Sequence, residues 1–288
     1  RMPATFHAVS RVLEEIPEQY TPQPSGNLNS EKYSEENLTV LDVGTGPGTA
    51  LWALAEKFPN IKHITAIEQN AHMQALAKKL SLNHPILKKT EWITGNILTS
   101  LSKIPSADIV IVSYMFNEVP IHAQIPLLEL LWQLATHTLI LIDPGTPTGF
   151  QGIHTAREWL IAQKAHIIAP CTHTNSCPAF LKTKLNSGNE EWCHFSVRLE
   201  RSVFHKQLKN ADKGFEDEKF SYLIATKNTE PKKDNSSFRI VRHPKIYPGH
   251  LSLELCGAQG FEQKKYSKKD GDLYKNARKS NWGDQWSP

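Results

Sequence analysis

Four cysteines, Cys171, Cys177, Cys193 and Cys256, stand in a chain of 288 residues, and none precedes Cys171. Their spacing is C-x5-C-x15-C-x62-C. The first two lie in "APCTHTNSCPAF", Cys171 behind Pro170 and Cys177 ahead of Pro178. Thiolates are soft metal ligands, and four of them complete an all-cysteine site with none left over. Zinc ribbons use paired C-x2–4-C knuckles, which are absent here. Iron–sulfur clusters tolerate irregular spacing and often carry a proline after a ligand cysteine, as at Cys177–Pro178. Spacing therefore leaves three readings open: a cluster, a zinc site and unliganded thiols. His173 and His194 either replace a cysteine around zinc or sit on the surface or beside the ligands. A secreted disulfide protein would be smaller and denser in cysteine, so a reducing compartment is expected.

The elements that must position these thiols read as an α/β sheet. "LTVLDVG", "HITAIEQ", "TEWITGN", "ADIVIVSYMF", "HTLILIDPG" and "AHIIAP" are apolar runs of strand length. Between them, "GTALWALAEKF", "AHMQALAKKL", "IPLLELLWQLA" and "TAREWLIAQK" carry apolar residues at helical spacing. Strands alternating with crossover helices mean a mostly parallel sheet. "KFSYLIATK" is the expected seventh strand. About fifty residues separate it from the sixth, too many for a hairpin turn, so they form an insertion. That insertion carries Cys171, Cys177 and Cys193, while Cys256 falls in the alternating stretch "HLSLELC" of a C-terminal β extension. The boundaries expected are a helical lead-in over 1–37, an α/β core over 38–170 and the insertion over 171–218. The last core strand follows at 219–228 and the basic extension at 229–288.

The first strand runs into "LDVGTGPGT", where Gly44, Gly46 and Gly48 form a G-x-G-x-G turn opening a helix. Such a turn lets backbone approach a ligand closely. A nicotinamide-binding turn has its third glycine one residue later, where this chain has Thr49. Asp42 before the turn would repel a pyrophosphate and suits a cationic ligand; its other use is to cap the loop. Glu68, ending the second strand, is placed to accept hydrogen bonds from two ribose hydroxyls. Asp42, the turn and Glu68 at this spacing resemble class I S-adenosylmethionine-dependent methyltransferases. Asn96, after the third strand, replaces the acid with which that family reads the adenine amino group. After the fourth strand comes "SYMFNEVP", without the Asn/Asp-Pro-Pro-aromatic signature of adenine amino methylation. Asn117 and Glu118 there either contact an acceptor or cap the helix starting near Ile121. Tyr114 and Met115 either line the cofactor pocket or pack in the core. Cys171 follows the sixth strand, whereas cytosine-C5 methyltransferases place their nucleophile after the fourth or fifth.

Charge is uneven. From Glu200 onward 18 lysines and arginines face 12 acidic residues, against 15 and 17 before it. A basic end suits a phosphate-bearing partner. Arg239, Arg242, Lys264, Lys265, Lys268 and Lys269 are expected along RNA phosphates. Trp282 and Trp286 either stack on bases or bury the tail against the body. "FEDEK" is expected to pair with "VRLERS". No apolar run reaches the ~18 residues of a membrane span, so a soluble protein is expected. The chain starts at Arg1 rather than Met, which leaves a removed targeting peptide open.

"RMPATFHAV", "LDVGTGPGTALWA", "DPGTPTGF", "APCTHTNSCPAF", "EWCHFSVRLERS", "EDEKFSYLIA" and "YKNARKSNWGDQW" occur in that order. Together they resemble the methyltransferase-like family tied to assembly of the mitochondrial ribosomal small subunit, which has bacterial relatives. The resemblance spans nearly the whole chain. It implies a seven-stranded class I methyltransferase fold, S-adenosylmethionine as cofactor and a [4Fe-4S] cluster on Cys171, Cys177, Cys193 and Cys256. It also implies small-subunit rRNA and ribosomal proteins as partners of a monomer. The expected compartment is the mitochondrial matrix for a eukaryotic source and the cytoplasm for a bacterial one. Asp143 departs from the family, whose members commonly have Glu in this motif. Function is expected to be small-subunit maturation, extending to rRNA methylation or else to RNA binding without catalysis.

Overall fold

A computed structural model describes residues 2–16, 38–185, 192–227 and 237–288. Within it the elements run α1 (Met2–Leu13), β1 (Leu38–Val43), α2 (Thr49–Lys57), β2 (Ile61–Glu68), α3 (Ala71–Ser81), β3 (Glu91–Thr94), α4 (Ile97–Ser100), β4 (Ala107–Ser113) and α5 (Ile121–Leu134). They continue as β5 (Ala135–Pro144), α6 (Pro147–Ala162), β6 (His166–Ala169), α7 (Pro178–Leu185), β7 (Phe195–Glu200), α8 (Val203–Lys209) and β8 (Phe215–Thr226). The C-terminal part holds β9 (Phe238–Ile240), β10 (Lys245–Tyr247), β11 (His250–Gly257), β12 (Gly260–Ser267), α9 (Asp272–Lys279) and β13 (Gln285–Trp286).

The main sheet has the order β3-β2-β1-β4-β5-β8-β6. β1 to β5 are parallel, and β8 inserts antiparallel between β5 and β6. This is the seven-stranded arrangement expected of a class I methyltransferase fold, with β8 as its seventh strand. The insertion adds an eighth strand: β7 pairs with the first half of β8, Phe195 opposite Phe220 and Glu200 opposite Phe215. β8 is therefore longer than its apolar stretch, and its polar start "FEDE" is held by ion pairs. Arg198 forks onto Asp217 at 2.7 and 2.9 Å, and Arg201 reaches Glu216 at 3.1 Å.

Alternation divides the core strands between two layers. Val40, Ile109 and Ile140 pack in the layer holding α1 and α2, while Leu41, Val110 and Leu139 pack in the one holding α5 and α6. α6 begins at Pro147, eight residues before the helical stretch legible in sequence. Thr146 caps it by accepting from the Gly149 amide at 3.1 Å, and proline takes the first turn. The C-terminal strands form a second sheet, β10-β11-β9-β13, with β12 on β11. Its own small core joins Leu251, Leu253 and Leu255 to Tyr274 and Trp286. The stretch "NTEPKKDNSSF" reads in sequence as a polar linker, and its residues 228–236 lie outside the described ones. Among those residues no helix is long and apolar enough to cross a membrane.

Candidate cofactor and metal sites

The glycine turn is built by backbone. Gly44 and Thr45 donate to the Ile67 carbonyl at 2.9 and 3.0 Å, tying the end of β1 to the end of β2. Gly44, Gly46 and Gly48 all take positive φ, 72°, 54° and 80°, a region that side chains strain. Glu68 then pins the turn: its Oε2 accepts the Gly46 amide at 2.8 Å and its Oε1 the Asn70 amide at 2.7 Å. Each carboxylate oxygen keeps lone pairs for a further donor. Beside them opens a cavity of about 490 Å3, whose walls include Gly44, Gly46, Glu68, Tyr114, Met115 and Glu118. Met2 and Thr5 of α1 close one side, a contribution no motif announced.

Asp42 stands behind this turn. It is fully buried and accepts the Thr45 hydroxyl at 2.5 Å, while its second oxygen has no partner among the described residues. Burial pushes its carboxyl up to about 7, and the Glu68 charge adds to the rise. Its place is that of a loop brace. Gly48 likewise packs from behind, toward Ala77 and Trp92. Asn96 spends its side-chain oxygen on the Leu98 amide at 3.0 Å, capping α4.

After β4 the chain turns sharply at Tyr114, a non-glycine residue at φ 58°. Its hydroxyl donates to Glu218 of β8 at 2.8 Å. Asn117 and Glu118 fall in a 3-10 turn, Phe116–Glu118. Glu118 lies on the cavity wall; the Asn117 oxygen is turned inward without a partner among the described residues. Neither caps α5, whose N-cap is Pro120 with no side-chain bond. Asp143 is buried against the Phe116 and Asn117 amides, at geometry short of a full hydrogen bond. Burial pushes it up to about 7, with Glu118 adding to the effect.

Tertiary packing brings the four cysteines into one neighbourhood. Cys171 follows β6, Cys177 precedes α7, Cys193 precedes β7 and Cys256 lies in β11. Burial drives the Cys193 thiol well up, and charge on Cys171, Cys177 and Cys256 drives it further. Cys256 is pushed up to about 12 by burial and then by Cys171 and Cys177. Cys177 rises for the same reasons, against the opposing pull of the Phe180 and Ala179 amides and of Arg157. Among the described residues no three His, Cys, Asp or Glu side chains are grouped as a single metal ion requires.

Two buried arginines hold this region. Arg157 of α6 donates Nε–H to the Cys171 sulfur at 3.3 Å and its Nη2 to both the His173 and Asn175 carbonyls, at 3.0 and 2.8 Å. Arg239 of β9 donates to the Pro170 and Gly283 carbonyls and to Glu15, two residues past the end of α1. Arg239 is thus a buried clamp, 3% exposed, and not part of the basic surface where its charge alone would place it. His173 and His194 are also buried rather than on the surface; the His173 ring stands 4.0 Å from the Cys256 sulfur. Trp286 is buried, its indole N–H donating to Tyr266 at 2.8 Å, and Trp282 packs among His194, His243 and the main core. Of their two expected uses, burying the tail is the one realised.

The sequence profile described as "Rsm22: Mitochondrial small ribosomal subunit Rsm22" matches residues 1–287. The Homo sapiens protein named "Ribosome assembly protein METTL17, mitochondrial" is 25% identical over 301 residues, covering 99% of this chain and 60% of its own length. A Schizosaccharomyces pombe "Rsm22-cox11 tandem protein 2, mitochondrial" is 26% identical, covering 85% of this chain and 38% of its own. The chain thus spans less than two thirds of either relative. In fold it is similar to a precorrin-6y C5,15-methyltransferase from Geobacter metallireducens, at TM-score 0.46 and 13% identity, covering 77% of this chain and 87% of that one. It is also similar to the Synechocystis magnesium protoporphyrin IX methyltransferase with bound S-adenosylmethionine, again at TM-score 0.46 and 13% identity, covering 78% and 81%. With the profile covering the chain nearly end to end, the protein belongs to the Rsm22 family of the mitochondrial small ribosomal subunit.

Proposed function

We propose that the chain binds S-adenosylmethionine in the glycine-turn cavity and acts, as a monomer, in maturation of the ribosomal small subunit. One observation carries the cofactor assignment. A Cβ placed on Gly46 would meet no protein atom within 4 Å, so this cavity-lining backbone is bare toward open space. Glu68 beside it would take the ribose hydroxyls with its remaining lone pairs, and Met115 and Tyr114 would flank the bound molecule. When bound, the cofactor would supply an electrophilic methyl group, for which alignment of the acceptor provides most of the catalysis. Glu118 is the residue positioned to orient an acceptor. The name of the human relative supports the ribosomal role, and both relatives' names support a mitochondrial setting for a eukaryotic source.

The four cysteines fit a structural [4Fe-4S] cluster. All are free thiols, all share one half-buried neighbourhood, and each of Cys177, Cys193 and Cys256 senses charge on its neighbours. A tetrahedral zinc with bonds of ~2.3 Å needs its sulfurs drawn tightly together. Zinc ribbons meet that need with paired C-x2–4-C knuckles, which the C-x5-C-x15-C-x62-C spacing lacks, and this favours a cluster.

A second reading, an RNA-binding assembly factor without catalysis, is favoured by Asn117, whose oxygen faces inward rather than toward an acceptor. Calorimetric titration with S-adenosylmethionine tests the cofactor assignment: heat of binding is expected, and its loss in Gly46→Val. Absence of heat from the unaltered protein would overturn it. Incubation with labelled cofactor and small-subunit rRNA then separates the two readings, since label enters RNA only in the first.

A further inference from the structure

With Trp286 buried and Trp282 half-buried, the exposed aromatic side chain beside the C-terminal lysines is Tyr247. It ends β10, whose three residues are all exposed, and is itself 48% exposed. Pro248 and Gly249, the latter at φ 82°, make a two-residue turn into β11, with proline and glycine where a type II turn takes them. The register sets Tyr247 directly opposite His250, and their rings stack at 5.0 Å between centroids and 14° between planes. The hairpin thus holds a flat aromatic pair at the outer end of the C-terminal sheet.

Charge surrounds that pair. Lys245 lies two residues before Tyr247, on the same face of β10. Across the sheet, Ser252 stands opposite both Lys245 and Lys265, which places Lys265 on this face as well. The strand β12 ends at Ser267, opposite His250, and runs straight into Lys268 and Lys269. The Lys268 amide donates to the Gly249 carbonyl at 3.3 Å, fixing this lysine pair beside the turn. Lys245 already serves Glu254 at 2.6 Å, whereas Lys265, Lys268 and Lys269 are exposed and make no ion pair with the described residues. An exposed ring with its plane fixed, flanked by cations on one face, is the arrangement that holds single-stranded nucleic acid: bases stack while lysines neutralise phosphates.

We propose that the β10–β11 hairpin is a stacking platform for an unpaired RNA base, received on Tyr247, with the adjoining phosphates on Lys265, Lys268 and Lys269. The inference rests on the proposed ribosomal role and narrows it to single-stranded rRNA. A duplex keeps its bases stacked and unavailable to the ring, so the platform discriminates against it.

The test measures fluorescence anisotropy of a labelled single-stranded oligouridine and of an RNA duplex of equal length, each titrated with the full chain. Tyr247→Ala is expected to weaken single-strand binding by roughly 5- to 150-fold, the range of one base–aromatic stack, and to leave duplex binding unchanged. Tyr247→Phe, which keeps the ring, is expected to bind within about twofold of the unaltered protein. Thermal melting of both variants should match the parent, because Tyr247 contributes to none of the buried cores. Single-strand affinity unaltered by Tyr247→Ala but weakened by Lys268→Ala/Lys269→Ala would overturn the platform and leave the RNA-binding reading standing. Failure of the unaltered protein to bind either RNA would overturn both.

Discussion

The glycine turn and the cysteine region solve the same problem, holding groups around a ligand, by opposite means. At the turn everything is local: β1 and β2 end side by side, the Ile67 carbonyl collects two amides, and Glu68 returns to Gly46. The geometry is set by backbone and by one carboxylate, so it should persist with or without a cofactor. The cysteines instead arrive from the loop after β6, from the insertion and from β11 of the second sheet. Their neighbourhood depends on buried arginines, on docking of the tail and, in the proposed reading, on the cluster. One site is preorganised by its own segment; the other is assembled by the whole fold.

The largest expected effect separates the two. Arg239→Met removes buried donors from the Pro170 and Gly283 carbonyls and the partner of half-buried Glu15. Breaking such a buried pair costs about 3–5 kcal/mol. Chemical denaturation should show that loss, while calorimetric affinity for S-adenosylmethionine in the folded variant stays near the parent's. Equal damage to both sites would dissolve the contrast.

Next comes pH. Burial pushes Asp42 and Asp143 up to about 7, from an ordinary 3.8. Between those values the folded chain holds protons that the unfolded chain has lost. Stability from these groups is therefore full below pH 3.8 and declines as pH rises to 7, on the order of 4 kcal/mol for each, of which about 3 kcal/mol falls above pH 5. Denaturation midpoints at pH 5 and pH 8 check the sign, and Asp42→Asn should remove about half of the decline. Gly44→Val acts on the turn alone: a Cβ there would lie 2.6 Å from Met115 Cγ, on a backbone at φ 72°. A loss of about 1–3 kcal/mol and abolished cofactor binding are expected, with metal content unchanged. The smallest effect is the control. Arg198→Ala breaks an exposed pair with Asp217 and should leave the denaturation midpoint close to the parent's without touching either site.

The same contrast explains what the sequence disclosed. Strands β1 to β6 stood out as apolar runs, and the turn could be recognised because its residues are neighbours. Glu68 was legible for the same reason, ending the strand beside the turn. The start of α6 was hidden by Gly149 and Gly152, although Thr146–Pro147 carries the cap-and-proline signal that could have found it. The eighth strand was hidden because Glu216, Asp217 and Glu218 make the start of β8 look like a loop, and its pairing with β7 depends on cross-strand ion pairs. Arg239 was misplaced because charge predicts exposure, and only the tertiary fold supplies the carbonyls that bury it. Asn96 was legible as a polar residue after β3, but nothing in its spacing distinguished an adenine reader from a helix cap.

The central claim is that four thiols from separate segments hold one cluster. Its most direct test is an absorption spectrum with iron and zinc analysis of the anaerobically purified protein and of its Cys256→Ser variant. The account predicts a brown parent with a broad band near ~400 nm and about four irons per chain, both diminished in the variant. A colourless parent carrying one zinc or no metal would contradict it.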